Sequence, residues 1–330
     1  MNAMRKVYFA GDFISNTGPA IVNKSYYRYI NNSVHICKSS RKLIRLIHFT
    51  IYLLLSRAIL VSGFSLINIR LVKLGKLFGL PTYYLMHGYI KLESRLNEVP
   101  YSGDKARAES ELLANVDTII CVSENFCNYL KKELPNLSNK ITYVSNGVHK
   151  QKKQIINLDK PRSVFNILSI GGGMPRKNNL QICRAIELIG DDSICFTVIG
   201  PKHRDGDLIA SYSFVNYIDS ANHDEVLKQM KNSHLYIQNS SFETFGLAVC
   251  EAIGQGCDVL LSKQIGAISI IDNLYSNSII NNNDDIDDIS RKIKYKMYHK
   301  SNASINAESN SWHCSSKKLI RIAGGSDDRG

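Results

Sequence analysis

Short apolar runs alternate with helix-length amphipathic segments along this chain, and the alternation breaks off once and then restarts. Lys6–Ala10 (KVYFA), Ala58–Ser62, Pro81–Met86 (PTYYLM) and Ile141–Val144 have the length and composition of buried strands. Val22–Ile30 and Ile67–Phe78 read as helices, Glu109–Val122 as a helix running into a strand, and Ser123 as the start of another helix through Leu134. The turn Ser145-Asn146-Gly147-Val148 and the polar run HKQKKQ (His149–Gln154) then break the pattern, as a linker would. It resumes with Phe165–Ser169, the helix Leu180–Ile189 and the strands Cys195–Gly200, His234–Asn239 and Cys257–Leu261. Such alternation specifies parallel sheets covered by helices. A chain of 330 residues is too long for one ordinary core. The reading is therefore an α/β protein of two Rossmann-like domains facing across a cleft, residues 1–150 and 151–330. In open parallel sheets ligands collect at the C-terminal ends of the strands, so candidate residues are sought there.

Ser240–Gly266 (SSFETFGLAVCEAIGQGCDVLLSKQIG) combines turn, helix and strand after an apolar run. Glu243-Thr244-Phe245-Gly246 lies where a helix begins, and the unpaired N–H groups and positive dipole end of that helix suit a phosphate placed above it. Glu251 follows eight residues later, about 12 Å away if both were helical. That separation matches a folded sugar-diphosphate-ribose unit, with sugar hydroxyls at Glu243 and ribose hydroxyls at Glu251. Glu243 and Glu251, with Phe245-Gly246-Leu247 between them and Gly254, Gly256 and Gly266 after, resemble the Glu-x7-Glu signature of the family-4 retaining glycosyltransferases. The resemblance covers roughly residues 5–320 and is strongest over 165–266. It implies the GT-B fold and transfer of a sugar, with retained anomeric configuration, from a nucleotide-diphosphate donor to a glycan or lipid-linked acceptor. Thr244, Phe245, Gly246, Leu247 and Glu251 then belong to the donor site, and Glu243 to the reacting sugar. The nucleotide sugar is a substrate, so no cofactor is implied.

Three further glycine-bearing or basic turns follow strands. Gly171-Gly172-Gly173-Met174-Pro175-Arg176-Lys177-Asn178-Asn179 succeeds Phe165–Ser169. Glycines let backbone approach a ligand, and adjacent cations neutralise a diphosphate leaving group as its charge develops. The resemblance assigns Lys177 to the donor phosphates, with Gly172 and Gly173 beside it. It also implies an arginine six residues before that lysine, where this chain has Gly171; Arg176 is expected to supply the missing charge, and no metal is then needed. Gly11 and Gly18 flank the loop after the first strand, which the resemblance places over the donor diphosphate and acceptor. His87, in His87-Gly88 at the end of PTYYLM, falls near the reacting sugar by the same resemblance. Val215–Ser220 is where relatives hold the nucleotide base, and the last helix, about 311–322, crosses back onto the first domain in relatives.

Charge is unevenly divided: residues 1–160 hold 23 Lys and Arg against 10 Asp and Glu, and residues 161–330 hold 18 against 19. A basic first half attracts a phosphate-bearing substrate, anionic lipid or nucleic acid, though no nucleic-acid module supports the last. Lys38–Arg57 (KSSRKLIRLIHFTIYLLLSR) is too short in its apolar part to span a bilayer. It reads equally as an amphipathic helix resting on an anionic membrane and as a domain helix with a basic outer face. Eight cysteines without a C-x-x-C pair suggest buried thiols of a reducing compartment and neither zinc nor a disulfide framework. The N-terminus MNAMRKVYFAGD lacks a signal peptide's pattern, so a cytoplasmic protein is expected, and the resemblance together with the basic first half implies peripheral attachment to the inner face of a bacterial membrane in surface polysaccharide biosynthesis. The acidic run at 281–292 reads as solvated, and AGGSDDRG at the end as a disordered tail. Three competitors stand beside the transferase reading, one of them the nucleic-acid-binding protein suggested by charge alone. A nicotinamide oxidoreductase lacks its G-x-G-x-x-G turn, and a non-catalytic partner subunit is raised by Gly171.

Overall fold

A computed structural model describes residues 6–149 and 164–324; the linker from Lys150, the first residues of the chain and the end of its tail lie outside the described residues. The chain divides into two compact units, drawn from Met1–Leu92, Pro100–His149 and Glu308–Gly330, and from Glu93–Val99 and Lys150–Ala307.

Six parallel strands form the first unit's sheet: β1 (Val7–Ala10), β2 (Val34–Ile36), β3 (Ala58–Ser62), β4 (Thr82–Met86), β5 (Thr118–Cys121) and β6 (Ile141–Tyr143). Their spatial order is β2-β1-β3-β4-β5-β6, with Val7 level with both Val34 and Ala58. Every residue of β1 and β3 is buried, as a strand covered on both faces requires. The connecting helices are α1 (Gly18–Ile30), α2 (Lys42–Leu55), α3 (Leu66–Leu77), α4 (Ile90–Leu96), which from Glu93 on counts with the second unit, α5 (Gly103–Asn115) and α6 (Glu124–Glu133). Helix α1 starts four residues earlier than the apolar pattern indicates, because Pro19 sits in its first turn, where a missing N–H costs nothing. Ser65 and Ser123 cap α3 and α6 by accepting from Asn68 and Phe126 N–H.

The second unit repeats the plan with β7 (Phe165–Ile170), β8 (Ile194–Ile199), β9 (Val215–Ile218), β10 (Leu235–Gln238) and β11 (Asp258–Ser262). Adding β13 (Ile279–Ile280), the order is β13-β11-β10-β7-β8-β9, all parallel, while β12 (Ile271–Asp272) and β14 (Ser304–Ile305) form a separate antiparallel pair. Helices α7 (Asn179–Ile189), α8 (Gly206–Ala210), α9 (His223–Asn232), α10 (Leu247–Gly254) and α11 (Ile286–Tyr298) cover it. Phe165, Ile167, Phe196, Ile237 and Leu260 meet Ile182, Ile186, Ile289 and Ile293 in one core. Part of the acidic run at 281–292 is therefore not solvated. Helix α11 is capped by Asp285, and its inner face buries Ile289 and Ile293 and two lysines, Lys292 and Lys296. Lys296 is tolerated there because Asp258 accepts from it at 3.1 Å and Ser278 at 2.6 Å. The last helix, α12 (Trp312–Ile322), belongs to the first unit and packs on α1. Trp312 meets Tyr26 edge-on at 5.2 Å, and a side chain at Gly147 would strike the Trp312 backbone at 2.3 Å.

One expectation about the first unit is corrected. Among the described side chains of α2, only Phe49 and Leu53 turn fully inward. Its outer face is not basic: Leu43, Leu46, Ile47, Ile51, Leu54 and Leu55 are all at least half exposed.

Candidate functional site

The strand orders locate the sites before any side chain is considered. In the second unit the chain builds outward from β7 through β8 and β9, then returns to β7's other edge with β10. The order reverses between β7 and β10, and the carboxyl ends of the two strands part there to leave a crevice. Into it run the loops 171–178 and 239–246.

Gly171 and Gly172 leave β7 with φ of 126° and 56°, and Asn178 sits at φ 51° in front of α7. These left-handed values bend the loop back over the sheet, and two asparagines hold it there. Asn178 Nδ2 donates to the Asn239 carbonyl at 3.0 Å and to Ser241 Oγ at 2.8 Å, tying the two loops together. Asn179, buried, donates to the Gly172 carbonyl at 2.7 Å. The role expected of Gly172 and Gly173 changes: their N–H groups donate to the carbonyls of Ile199 and Pro201. Their lack of a Cβ serves another loop, because one at Gly173 would lie 1.7 Å from the Lys202 carbonyl oxygen. Gly171 has a specific function as well. Its missing side chain makes room for the stem of Lys177, whose Cγ a Cβ there would meet at 2.7 Å.

Lys177 and Arg176 converge on one carboxylate. Glu243 Oε2 accepts from Lys177 Nζ, from Arg176 Nη1 at 3.3 Å and from Gln238 Nε2 at 3.2 Å. The three charged side chains are 12, 17 and 18% exposed for Lys177, Arg176 and Glu243. Burial works to raise the Glu243 carboxyl, but Lys177 and then Arg176 outweigh it and hold it below the usual range. Burial lowers Lys177, which Glu243 partly offsets. Two cations share this carboxylate at the end of β7 and β10, and Glu93 adds a further negative charge that acts on Lys177. Gln238 is a residue that sequence reasoning missed, because it lies inside an apolar strand; it is fixed in turn by Tyr236, whose hydroxyl donates to Gln238 Oε1 at 3.0 Å.

Glu243 is not helical. Its N–H donates to the Gln264 carbonyl and its carbonyl accepts from Gly266, so it pairs in extended form beside Ile265. The helix begins four residues later, after Gly246 at φ 96°, which makes the two-turn spacing to Glu251 inapplicable. Leu247 and Ala248 open α10 with N–H groups that have no acceptor inside the helix. Phe245 is buried, so only its backbone is offered, while Thr244 and Leu247 are half-buried. Glu251 lies on the second turn of α10, where burial raises its carboxyl and His223, at 3.8 Å, lowers it. His223 is a second omission; the signal available was the Asn222–Glu225 capping box, which marks a helix start beside α10.

In the first unit the order reverses between β1 and β3. Gly11 follows β1, Ser62 ends β3, and His87 follows β4. The structure joins these three. His87 Nε2 and Ser62 Oγ are 2.8 Å apart, Ser62 also bonds Asn23 Oδ1 at 2.8 Å, and a Cβ on Gly11 would press on Asn23 Nδ2 at 2.8 Å. Burial pushes His87 down to about 4. Gly18, at the first residue of α1, has nothing within 4 Å of where a Cβ would lie, so space does not demand a glycine there. Among the described residues no group of three or more His, Cys, Asp or Glu side chains is arranged to hold a metal ion, and all eight cysteines are free.

Comparison with known proteins follows the same division. Residues 150–308 match the family model "Glycosyl transferases group 1". No curated protein matches in sequence. Among solved structures, Anabaena Alr3699/HepE in complex with UDP and glucose superposes with a TM-score of 0.61 at 12% identity, over 97% of this chain and 95% of that one. An alpha,alpha-trehalose-phosphate synthase (UDP-forming) from Burkholderia xenovorans, in complex with glucose-6-phosphate, gives 0.65 at 12%, over 97% and 100%. WaaG, a glycosyltransferase involved in lipopolysaccharide biosynthesis, gives 0.58 at 11%, over 97% and 96%. Identities this low speak for the fold alone, and the two parallel-sheet, Rossmann-like units have the GT-B fold.

Proposed function

Residues 150–308 are a glycosyl transferases group 1 domain, and from that premise we propose that the chain moves a sugar, with retention, from a nucleotide-diphosphate donor to a glycan or lipid-linked acceptor. The observation that carries this reading is the buried pair Lys177–Arg176 at the β7–β10 crevice, both bonded to Glu243. Breaking a sugar–diphosphate bond develops negative charge on the leaving phosphate, and preorganised cations with low exposure stabilise it most. In this reading the diphosphate lies between these cations and the start of α10, where Leu247 and Ala248 offer N–H groups. Glu243, displaced from one cation by the phosphate, turns its carboxylate to the sugar hydroxyls. Glu251 receives the ribose and His87 a hydroxyl of sugar or acceptor. The leaving phosphate takes the acceptor's proton as the acceptor oxygen bonds the anomeric carbon. The charge balance is met by protein cations, so the reaction is proposed to run without metal.

The acceptor is proposed to be lipid-linked, met at the inner face of a bacterial cytoplasmic membrane during surface polysaccharide assembly. The outward Leu43, Leu46, Ile47, Ile51 and Leu54 of α2, with exposed Arg41 and Lys38 at its start, supply an apolar strip and cations suited to anionic lipid. No helix among the described residues is long and apolar enough to cross a membrane. The deciding experiment is consumption of UDP-, GDP- and ADP-sugars by the full chain, with a crude lipid-linked acceptor fraction and EDTA, beside a Glu243→Ala variant. Release of one nucleoside diphosphate, surviving EDTA and lost in the variant, supports the proposal. If no donor is bound or consumed, it fails in favour of a non-catalytic partner subunit.

A further inference from the structure

Gln238 is a polar side chain inside a strand covered on both faces. It is 2% exposed, and a buried amide costs free energy unless its N–H and C=O groups find partners. Here both ends of the amide have one. Tyr236, two residues back on the same face of β10, donates its hydroxyl to Gln238 Oε1 at 3.0 Å. Nε2 donates to Glu243 Oε2 at 3.2 Å and to Ser240 Oγ at 3.3 Å. A carboxylate only accepts, so the NH2 group is the end turned to Glu243 and the amide oxygen the end left to Tyr236. We infer that Gln238, oriented by Tyr236, is a positioning residue for Glu243: a neutral anchor that keeps Oε2 in place when donor phosphates draw Lys177 and Arg176 away, and so turns Oε1 to the hydroxyls of the sugar. The parts given to phosphate and sugar rest on the transferase reading; the hydrogen-bonded chain from Tyr236 through Gln238 to Glu243 does not.

The donors on Glu243 differ in what can compete for them. Among the described residues Lys177, Arg176 and Gln238 all reach the same oxygen, Oε2. A diphosphate carries more negative charge than one carboxylate, so it competes for the two cations. An uncharged amide N–H gains far less from a phosphate, and Gln238 is held besides by its strand. Strand β10 is paired on both sides, with Tyr236 level with Leu168 of β7 and Gln238 level with Leu261 of β11. Ser240 is buried, and its carbonyl accepts from Ser262 Oγ at 2.6 Å. Tyr236 is buried too. Burial, with Glu243 and Glu251 adding to it, pushes its phenol well above the ordinary value, so the hydroxyl keeps the proton that Gln238 Oε1 accepts. Lys177 and Arg176 are the cations that hold Glu243 ionised, and Glu93 acts on Lys177. Gln238 adds a bond to the carboxylate that withdrawal of those cations does not remove.

The test uses the full chain labelled with 13C-glutamate, the Glu243 carboxyl signal being assigned by its loss in Glu243→Gln. Removing a hydrogen bond to the ionised form raises a carboxyl pKa. Gln238→Met, of similar length and without a donor, should therefore move the Glu243 titration up by about one unit, the weight of one hydrogen bond to a charged group. Tyr236→Phe, which takes away a single oxygen, should move it the same way by less, and it carries the test if Gln238→Met does not fold. Bound inorganic pyrophosphate should raise the titration further in Gln238→Met than in the wild type. Nucleotide-sugar turnover in Gln238→Met is expected to fall about tenfold in kcat, with KM for the donor little changed. A Glu243 titration unmoved in both variants, a response to bound pyrophosphate no larger in Gln238→Met, or a loss confined to KM overturns the inference. If the wild type neither binds pyrophosphate nor turns over a donor, the transferase reading falls, while the titration without pyrophosphate still decides whether Gln238 holds Glu243.

Discussion

Replacing Glu243 by glutamine removes the carboxylate to which Lys177 and Arg176 both donate. Leaving a charge buried without its partner costs about 3–5 kcal/mol when the site is dry. Here the side chains keep 12–18% exposure, and glutamine still offers an acceptor oxygen, so the expected loss is about 2 kcal/mol. The pH dependence is fixed in sign. The Glu243 carboxyl lies below its ordinary 4.5, since Lys177 and Arg176 outweigh burial. Its contribution is therefore full above about 4.5 and is lost as pH falls through the lowered folded value. Urea denaturation of the full chain at pH 7.5, followed by circular dichroism, should show the loss, and the gap to wild type should narrow below pH 4.5. Inorganic pyrophosphate should raise the thermal midpoint of Glu243→Gln more than that of the wild type, because it supplies the missing anion. A variant as stable as wild type at pH 7.5, or a gap that ignores pH, refutes the assignment of these three residues to one electrostatic unit.

Gly173→Ala should be severely destabilising, by about 3 kcal/mol or more, since its Cβ would meet the Lys202 carbonyl and the Gly206 amide of a backbone that must move. Gly18→Ala should change stability by no more than about 0.5 kcal/mol, so any loss of turnover it causes reports on the loop and not on folding, as thermal melts beside donor turnover will show. Lys296→Met should cost about 3 kcal/mol, because Asp258 would remain buried with its charge unmatched; urea midpoints test it. Leu46→Ser with Ile47→Ser should leave the melting temperature unchanged and weaken sedimentation with anionic liposomes several-fold, given that both side chains are more than half exposed.

Much of this molecule is legible along the chain. The strands from β1 to β11 announce themselves as apolar runs, with two exceptions, of which the first is β9 (VNYI), a partly polar edge strand. The second, the three-residue β2 at the edge of its sheet, carries too little apolar length to stand out from the loop around it. Helix boundaries follow local chemistry too, with Pro19, Ser65, Ser123 and Asn222 at their starts. Helix α2 is where local reading stops short: its sequence is strongly apolar, but which side of it meets β1 and which meets solvent is a matter of packing.

What the sequence by itself determined is therefore the class of structure, two parallel α/β units, and the short list of polar residues at strand ends. Both are properties of neighbours in the chain: period, turn chemistry and spacing. Only the tertiary structure decided which strand ends lie side by side, and with that which residues act together. Lys177 and Glu243 are 66 residues apart, Ser62 and Asn23 are 39 apart, and Ser62 and His87 are 25 apart. Gly171 makes the same point, since an absent arginine in the sequence is, in the fold, the space taken by the stem of Lys177. The strand order reverses at β7–β10 and at β1–β3, and the crevices so formed bring these distant groups within hydrogen-bond reach.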